Sequence, residues 1–403
     1  MDGKRLLLTL WLDNLLSYGP EGTAIELQPL NVLIGPNGSG KSNLIEAISL
    51  LKAAPTDIFA PIRAGGGMPE WVWKGVRGVL VVDFNVATTI SYLERLAPIH
   101  YGFRLKRVGQ KLELGAEQVQ YKEVLQPDTT TRSFVYNYTE GSYLCSDADE
   151  NGATGDRSER LHKFTDVDPR TSILAQRKDP ENYPVFTYLA TVLNNIRLFR
   201  DASVGHDSPL RGPQRADEPG DFLAEDGRNL GMVLNHLLNS PPTKRRLIAE
   251  LKRFYEPVED ITTRIVAGTV ETFFHERGLR DSIPSVRLSD GTLRYLCLLT
   301  ILCHPEPPPL VCIEDPEIGL HPDILPIVAE LFVEASQRMQ LIITTHSDIL
   351  VSALSDVPEA VIVCERDDQG THLRRLEPER LKEWLQKYTL GELWMMGETG
   401  GNP

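Results

Sequence analysis

Two stretches far apart in this chain hold the residues whose types and spacing can do chemistry. Gly35-Pro36-Asn37-Gly38-Ser39-Gly40-Lys41-Ser42 satisfies G-x-x-x-x-G-K-[ST] in full. Its three glycines, Gly35, Gly38 and Gly40, let backbone N–H groups turn inward around a phosphate chain, and the N-terminus of a following helix adds partial positive charge. Lys41 can reach the β- and γ-phosphates, and the Ser42 hydroxyl can hold Mg²⁺. Downstream, the apolar run Leu310-Val311-Cys312-Ile313 ends in Glu314-Asp315-Pro316-Glu317. Glu314 suits contact with Mg²⁺, direct or through water, and Asp315 suits orienting or deprotonating an attacking water. His346, at the end of the run Leu341 to Thr345, suits a hydrogen bond to that water or to the γ-phosphate. Ser289 and Gly291, just before an apolar helix, suit anion capture at a helix start. The candidate nucleotide contacts are therefore Asn37, Gly38, Ser39, Gly40, Lys41, Ser42, Asn43, Ser289 and Gly291, with ATP and Mg²⁺ as the cofactors.

These residues need particular elements around them. Leu30-Asn31-Val32-Leu33-Ile34 reads as a strand entering the glycine loop, and Leu44, Ile45, Ile48 and Leu51 share one face of the helix leaving it, which Pro55 stops. An apolar strand that ends in acids puts a carboxylate at the sheet's carboxyl edge, where such sheets hold ligands. Residues 5–34 predict two or three strands. From about 78 to 145, Ile99, Tyr101, Phe103 and Leu105 alternate with polar or small residues, as do Phe134, Tyr136 and Tyr138, which predicts an antiparallel β-lobe. Its polar hairpin tip runs from Ser146 to Glu159. Helices follow, one through Val185, Leu189, Val192, Leu193 and Ile196, one through Leu230, Val233, Leu234, Leu237 and Leu238, and one from Pro241 to about Tyr255. Ser203 to Asn229 reads as a long surface loop, and Asp260 to Phe274 as a hairpin. No heptad pattern persists, which excludes a long coiled-coil arm. The expected organisation is 1–145 for the glycine loop and β-lobe, 146–282 for the hairpin tip and an inserted helical lobe, and 283–403 for the second half of the site.

The bulk numbers narrow the class. A chain of 403 residues, 41% hydrophobic and 24% charged, has the composition of a soluble globular protein. A formal net charge of -14 argues against a protein coated in basic surface, so any DNA contact must come from a local patch or a partner. Lys244, Arg245, Arg246, Lys252 and Arg253 read either as a solvated helix face or as such a patch. Arg63 reads either as a solvated loop residue or as one pointing back to the nucleotide. Of the five cysteines, none is in CxxC spacing, and Cys297, Cys312 and Cys364 sit in apolar runs, which predicts buried free thiols. No apolar run crosses a bilayer and no signal peptide is read, so the cytoplasm is the expected compartment.

The whole set resembles the ABC-type ATPase heads of the RecF/SMC/OLD class. It is most similar to bacterial predicted ATPases with an LSDGT-type signature (Leu288 to Thr292), the acids Glu314-Asp315-Pro316-Glu317, Gly319-Leu320-His321-Pro322, and Thr344-Thr345-His346-Ser347. The likeness covers about 5–65 and 283–365; the tail Leu390-Gly391-Glu392-Leu393-Trp394 is similar too, and the middle only in outline. It implies an α/β fold, a P-loop NTPase of ABC-head type with an antiparallel β-lobe and an inserted helical lobe. It also implies a head-to-head homodimer in which Ser289 of each protomer caps the γ-phosphate of the other, giving two identical sites. A glutamine between the lobes contacts Mg²⁺ in that class; Gln176, after Ser172-Ile173-Leu174-Ala175, stands in the expected region, and an ordinary surface glutamine is the other reading. The metal set implied is Ser42, Glu314 and Gln176.

Two departures from the class carry consequences. The presumed base, Asp315, is one methylene shorter than the usual glutamate, which predicts slow hydrolysis, with Glu317 as a fallback base. The signature has Asp290 for a glycine and Thr292 for a glutamine. OLD-type nucleases resemble this module with a Toprim metal-nuclease domain behind it, and the chain ends too soon after His346 to hold one, so no nuclease activity is expected in this polypeptide. Asp367-Asp368-Gln369-Gly370 reads as a hairpin turn rather than a metal cluster. The leading expectation is an ATPase whose cycle controls a separately encoded effector, such as a nuclease or Toprim-like protein in DNA repair or phage defence. The alternatives are a RecF-like ATP-gated DNA clamp and a nearly inactive ATP sensor.

Overall fold

A computed structural model describes residues 3–75, 83–91, 98–109, 111–121, 134–139, 142–145, 167–200 and 208–401. The expected hairpin tip, Ser146 to Glu159, lies outside the described residues.

A six-stranded sheet holds the centre. From edge to edge it runs Gly370–Arg375, Val361–Asp367, Leu30–Ile34, Gln340–Thr344, Leu310–Glu314 and Arg197–Phe199. The last five strands are parallel; only Gly370–Arg375 runs against its neighbour, through the turn at Asp367 and Gly370 predicted from sequence. Parallel strands need both faces covered, and the period-two alternation of their side chains shows how this is done. Leu33, Leu310, Cys312, Ile342, Ile362 and Cys364 belong to one core. Leu30, Val32, Ile34, Val311, Ile313, Leu341, Ile343, Val361 and Val363 belong to the other.

The first core is closed by the helix Lys41–Ala53, through Leu44, Ile45, Ile48 and Leu51, and by an antiparallel sheet of seven strands. That sheet runs Thr23–Glu26, Leu7–Asp13, Asp83–Ile90, Ile99–Val108, Lys111–Tyr121, Phe134–Thr139 and Ser142–Cys145. Two of the N-terminal strands thus join the β-lobe, and only Leu30–Ile34 enters the parallel sheet. Gln340, wholly buried, joins the two sheets: its carbonyl accepts from the Leu6 and Leu7 N–H groups while its amide donates to Leu7 O and Gln28 O. Every donor and acceptor of that side chain is used, as burial requires.

The second core lies under the helices Asp290–Leu302, Leu325–Ala335, Leu230–Leu238 and Pro241–Phe254. A hairpin of Val258–Val266 and Thr269–Glu276, flanked by Gln214–Arg215 and Ile283–Pro284, borders it. The middle of the chain is distributed over both cores. The helix Pro184–Asn194 inserts Val185, Phe186, Leu189 and Leu193 into the first, while Leu230, Val233, Leu234 and Leu237 enter the second. Cys297, Cys303, Cys312 and Cys364 are buried free thiols. No helix among the described residues is long and apolar enough to cross a membrane.

Candidate nucleotide site

The parallel register explains why distant residues meet. Leu30–Ile34 and Leu310–Glu314 flank Gln340–Thr344, with Leu33 and Glu314 both paired to Thr344, so the glycine loop, the acids and His346 all leave the same sheet edge. The loop itself is shaped by its glycines. Gly35 has φ 144, Gly38 φ 78 and Gly40 φ 105, a region that side chains avoid. Space adds to this at two of them. A Cβ on Gly35 would lie 2.2 Å from Cys364 O, and one on Gly40 2.4 Å from Thr371 Oγ1, whereas Gly38 faces open space.

A collar of hydrogen bonds fixes the loop from outside. The Tyr18 hydroxyl donates to Gly40 O, Thr371 Oγ1 to Ser39 O, and the Asn43 amide to Ser17 Oγ. Asn43 is thereby a brace for the loop. Asn37 and Gly38 are exposed at its rim. Ser39 Oγ is buried in the loop without a partner among the described residues. The Lys41 ammonium donates to Gly35 O at 2.7 Å and Pro36 O at 3.1 Å, which leaves its third N–H for a phosphate oxygen. Burial lowers the affinity of Lys41 for its proton, while Cys364, Asp315 and Glu317 act to raise it.

Ser42 is exposed, and its hydroxyl lies close enough to the Glu314 carboxylate to favour the charged form. Burial pushes the Glu314 carboxyl up to about 7; Asp315 and Glu46 add to this, and Arg200 and Ser42 oppose it. A hydroxyl and a carboxylate so placed would suit a phosphate-bound Mg²⁺ that keeps waters and phosphate oxygens as its other ligands. Among the described residues no group of three His, Cys, Asp or Glu side chains is arranged to hold a metal alone.

Asp315 has φ 42, unusual for a residue with a side chain but tolerated by Asp. Its N–H donates to Thr344 O, and its Oδ1 accepts the Thr344 hydroxyl at 3.1 Å. Glu317 crosses to the next strand end: its Oε1 accepts the Thr345 hydroxyl at 2.8 Å and the His346 N–H at 2.7 Å. Its Oε2 is buried with no partner among the described residues, and burial raises its carboxyl above the ordinary value. The His346 side chain is exposed at the mouth.

Ser289 is exposed and caps the helix Asp290–Leu302, accepting from Thr292 N at 3.1 Å. It faces solvent, not the interior. Gly291 lies against the Glu317–Leu320 turn, where a Cβ would stand 3.0 Å from Gly319 O. Asp290 pairs with Arg211, whose guanidinium also donates to Leu288 O. Gln176 departs from the expected role. Its carbonyl accepts from Asp168 N, and its amide donates to Asp168 O and Thr171 O, so the whole amide closes its own loop and none of it is directed to Ser42 or Glu314. Arg63 pairs with Asp57 on the surface, which matches the solvated reading.

Sequence reasoning missed Arg200, which follows the edge strand and reaches Glu46 and Glu314, and Arg366, which stands over the Trp73 ring and donates to Gly38 O at 3.5 Å. Glu46 carried a signal, being one helical turn beyond Ser42. Neither arginine lies in a motif, and only strand pairing brings them in.

The family described as "AAA domain, putative AbiEii toxin, Type IV TA system" matches residues 30–352, from the strand before the glycine loop to just past His346. The chain belongs to this family. It is 22% identical over 380 residues to the Old nuclease of Escherichia phage P2, covering 90% of this chain and 60% of that relative. Among solved structures, the Smc head bound to the C-winged helix domain of ScpA is similar at a TM-score of 0.56 and 16% identity, over 93% of this chain and 99% of that one. The Smc head with an extended coiled coil from Pyrococcus furiosus gives 0.54 and 15%, over 95% and 99%. The SMC head domain from Thermotoga maritima gives 0.50 and 17%, over 92% and 99%. The fold is thus the α/β P-loop head expected from sequence, an AAA domain with the architecture of the Smc heads.

Proposed function

We propose that this ATPase binds ATP with Mg²⁺ between its glycine loop and Glu314, hydrolyses it, and uses the cycle to dimerise and to control a separately encoded effector of nuclease type. The observation that carries the reading is the parallel pairing of Leu30–Ile34 and Leu310–Glu314 with Gln340–Thr344, which brings the glycine loop and the acids to one sheet edge with Ser42 beside Glu314. Ser42 and Glu314 would hold Mg²⁺, which neutralises charge on β- and γ-phosphate oxygens when bound. Lys41 offers its third N–H to the phosphates, and the loop's N–H groups cradle them. Asp315 orients the attacking water and accepts its proton, with Glu317 holding the His346 segment in place from the side. The exposed Ser289, with the half-buried Gly291 behind it, is available to a second copy, whose γ-phosphate it would cap.

The effector reading draws on the Old nuclease relative, of which this chain spans 60%. The clamp reading has less behind it. On the basic helix, Lys244 pairs with Asp260, Arg246 with Glu334, and Arg253 with Glu250 and Glu330, so these cations are largely neutralised within the chain. Phosphate release by the purified protein tests the enzyme reading. Turnover that falls at least a hundredfold in Lys41→Ala and Glu314→Gln is expected; equal rates in wild type and both variants would overturn it.

A further inference from the structure

The parallel pairing of Arg197–Phe199 with Leu310–Glu314 matches Phe199 to Ile313, so the next residues, Arg200 and Glu314, leave the sheet side by side. Arg200 Nη1 donates to Glu46 Oε1 at 2.6 Å and Nη2 to Ile45 O at 3.3 Å, both on the helix that begins with Lys41. Its Nε lies 3.7 Å from Glu314 Oε1, an ion pair too long for a hydrogen bond, and that N–H is buried with no acceptor among the described residues. One guanidinium therefore balances two carboxylates at the place where Ser42 and Glu314 would hold a divalent cation.

Beside it opens a cavity of about 90 Å³ with an apolar wall from Phe199, Leu298 and Ile313. Glu225 and Asp226 also line it. A guanidinium leaving Glu314 has room to turn there towards two carboxylates that already hold cations, Lys52 on Glu225 and Arg228 on Asp226.

We propose that Arg200 is a resident counter-ion of the Glu46–Glu314 pair that yields to the divalent cation, so that metal enters only together with nucleotide. Two unbalanced carboxylates facing each other in a half-buried site would attract metal by themselves. Arg200 cancels that attraction in the nucleotide-free chain and gives way once phosphate oxygens add ligands and charge. Arg200 is thus a positioning residue: it acts through Glu314. The inference rests on the reading that Ser42 and Glu314 hold the cation.

The test is Mn²⁺ binding to the nucleotide-free full chain, followed by the electron paramagnetic resonance of free Mn²⁺. Arg200→Gln should bind Mn²⁺ at least fivefold more tightly than wild type, Arg200→Lys within twofold of wild type, and Arg200→Gln with Glu314→Gln should lose the gain. Unchanged or weaker binding in Arg200→Gln, or a gain that survives Glu314→Gln, would overturn it. So would micromolar Mn²⁺ binding by the nucleotide-free wild type, a readout that needs no variant to fold. Mn²⁺ binding with ATP that is insensitive to both Ser42→Ala and Glu314→Gln would instead remove the underlying reading of the site.

Discussion

Glu117 is a carboxylate sealed inside the first core, 1% exposed, on a strand of the antiparallel sheet. Its Oε1 accepts the Tyr101 hydroxyl at 2.9 Å and the Ser172 hydroxyl at 2.5 Å, and its Oε2 accepts the Ile173 N–H at 2.8 Å. It thereby pins the start of the short helix Ile173–Gln176 to the β-lobe. Three hydrogen bonds favour the charged form, yet burial outweighs them and raises the carboxyl from 4.5 to about 7. Between those values the folded chain keeps a proton that the unfolded chain has released. The stability this group contributes is therefore complete below 4.5 and is lost as pH rises through about 7. At about 1.4 kcal/mol per pH unit, the interval amounts to about 3 kcal/mol. Glu117→Gln removes the titration while keeping an acceptor for Ile173 N and a donor for the two hydroxyls. Urea unfolding followed by tryptophan fluorescence, for both proteins from pH 4.5 to pH 8.5, gives the difference in stability at each pH. The variant should gain on wild type by about 3 kcal/mol across that range, most of it between pH 5 and pH 7.5. A difference that does not change with pH, or one that changes in wild type's favour, refutes the argument that desolvation dominates at Glu117.

Gly40→Ala, with its Cβ driven to 2.4 Å from Thr371 Oγ1 at φ 105, should abolish binding of a fluorescent ATP analogue; Gly38→Ala, with open space at φ 78, should weaken it less than tenfold. Asp315→Glu should raise kcat about tenfold, because the longer carboxylate escapes the Thr344 hydroxyl, while the φ of 42 makes it about 1 kcal/mol less stable. An unchanged kcat would show that reach does not limit the base. Arg245→Glu with Arg246→Glu should change DNA affinity by less than twofold at any salt concentration, since Arg246 is already paired with Glu334. A fall of tenfold or more would restore the clamp reading.

What was legible in the sequence was what local chemistry writes there. The glycine loop could be read because only glycines supply φ values such as those at Gly35 and Gly40, and the strands could be read because a doubly covered parallel sheet needs continuous apolar runs such as Leu310 to Ile313. Antiparallel alternation exposed the lobe of Ile99, Tyr101, Phe103 and Leu105, all four of which are buried. Gln176 was misjudged because position along the chain does not say where an amide points; its own loop offered two carbonyls and an N–H, and those took it. Arg200, Arg211 and Arg366 were invisible for a related reason. A lone arginine has no period and no motif, and its partners, Glu314, Asp290 and Gly38, are brought to it only by strand order and by loops crossing the sheet edge. The sequence by itself determined which loop and which strand end are suited to a phosphate and an ion, because that is a matter of side-chain type and backbone freedom. The tertiary structure alone decided which charges balance them, because Coulomb energy depends on separation in space.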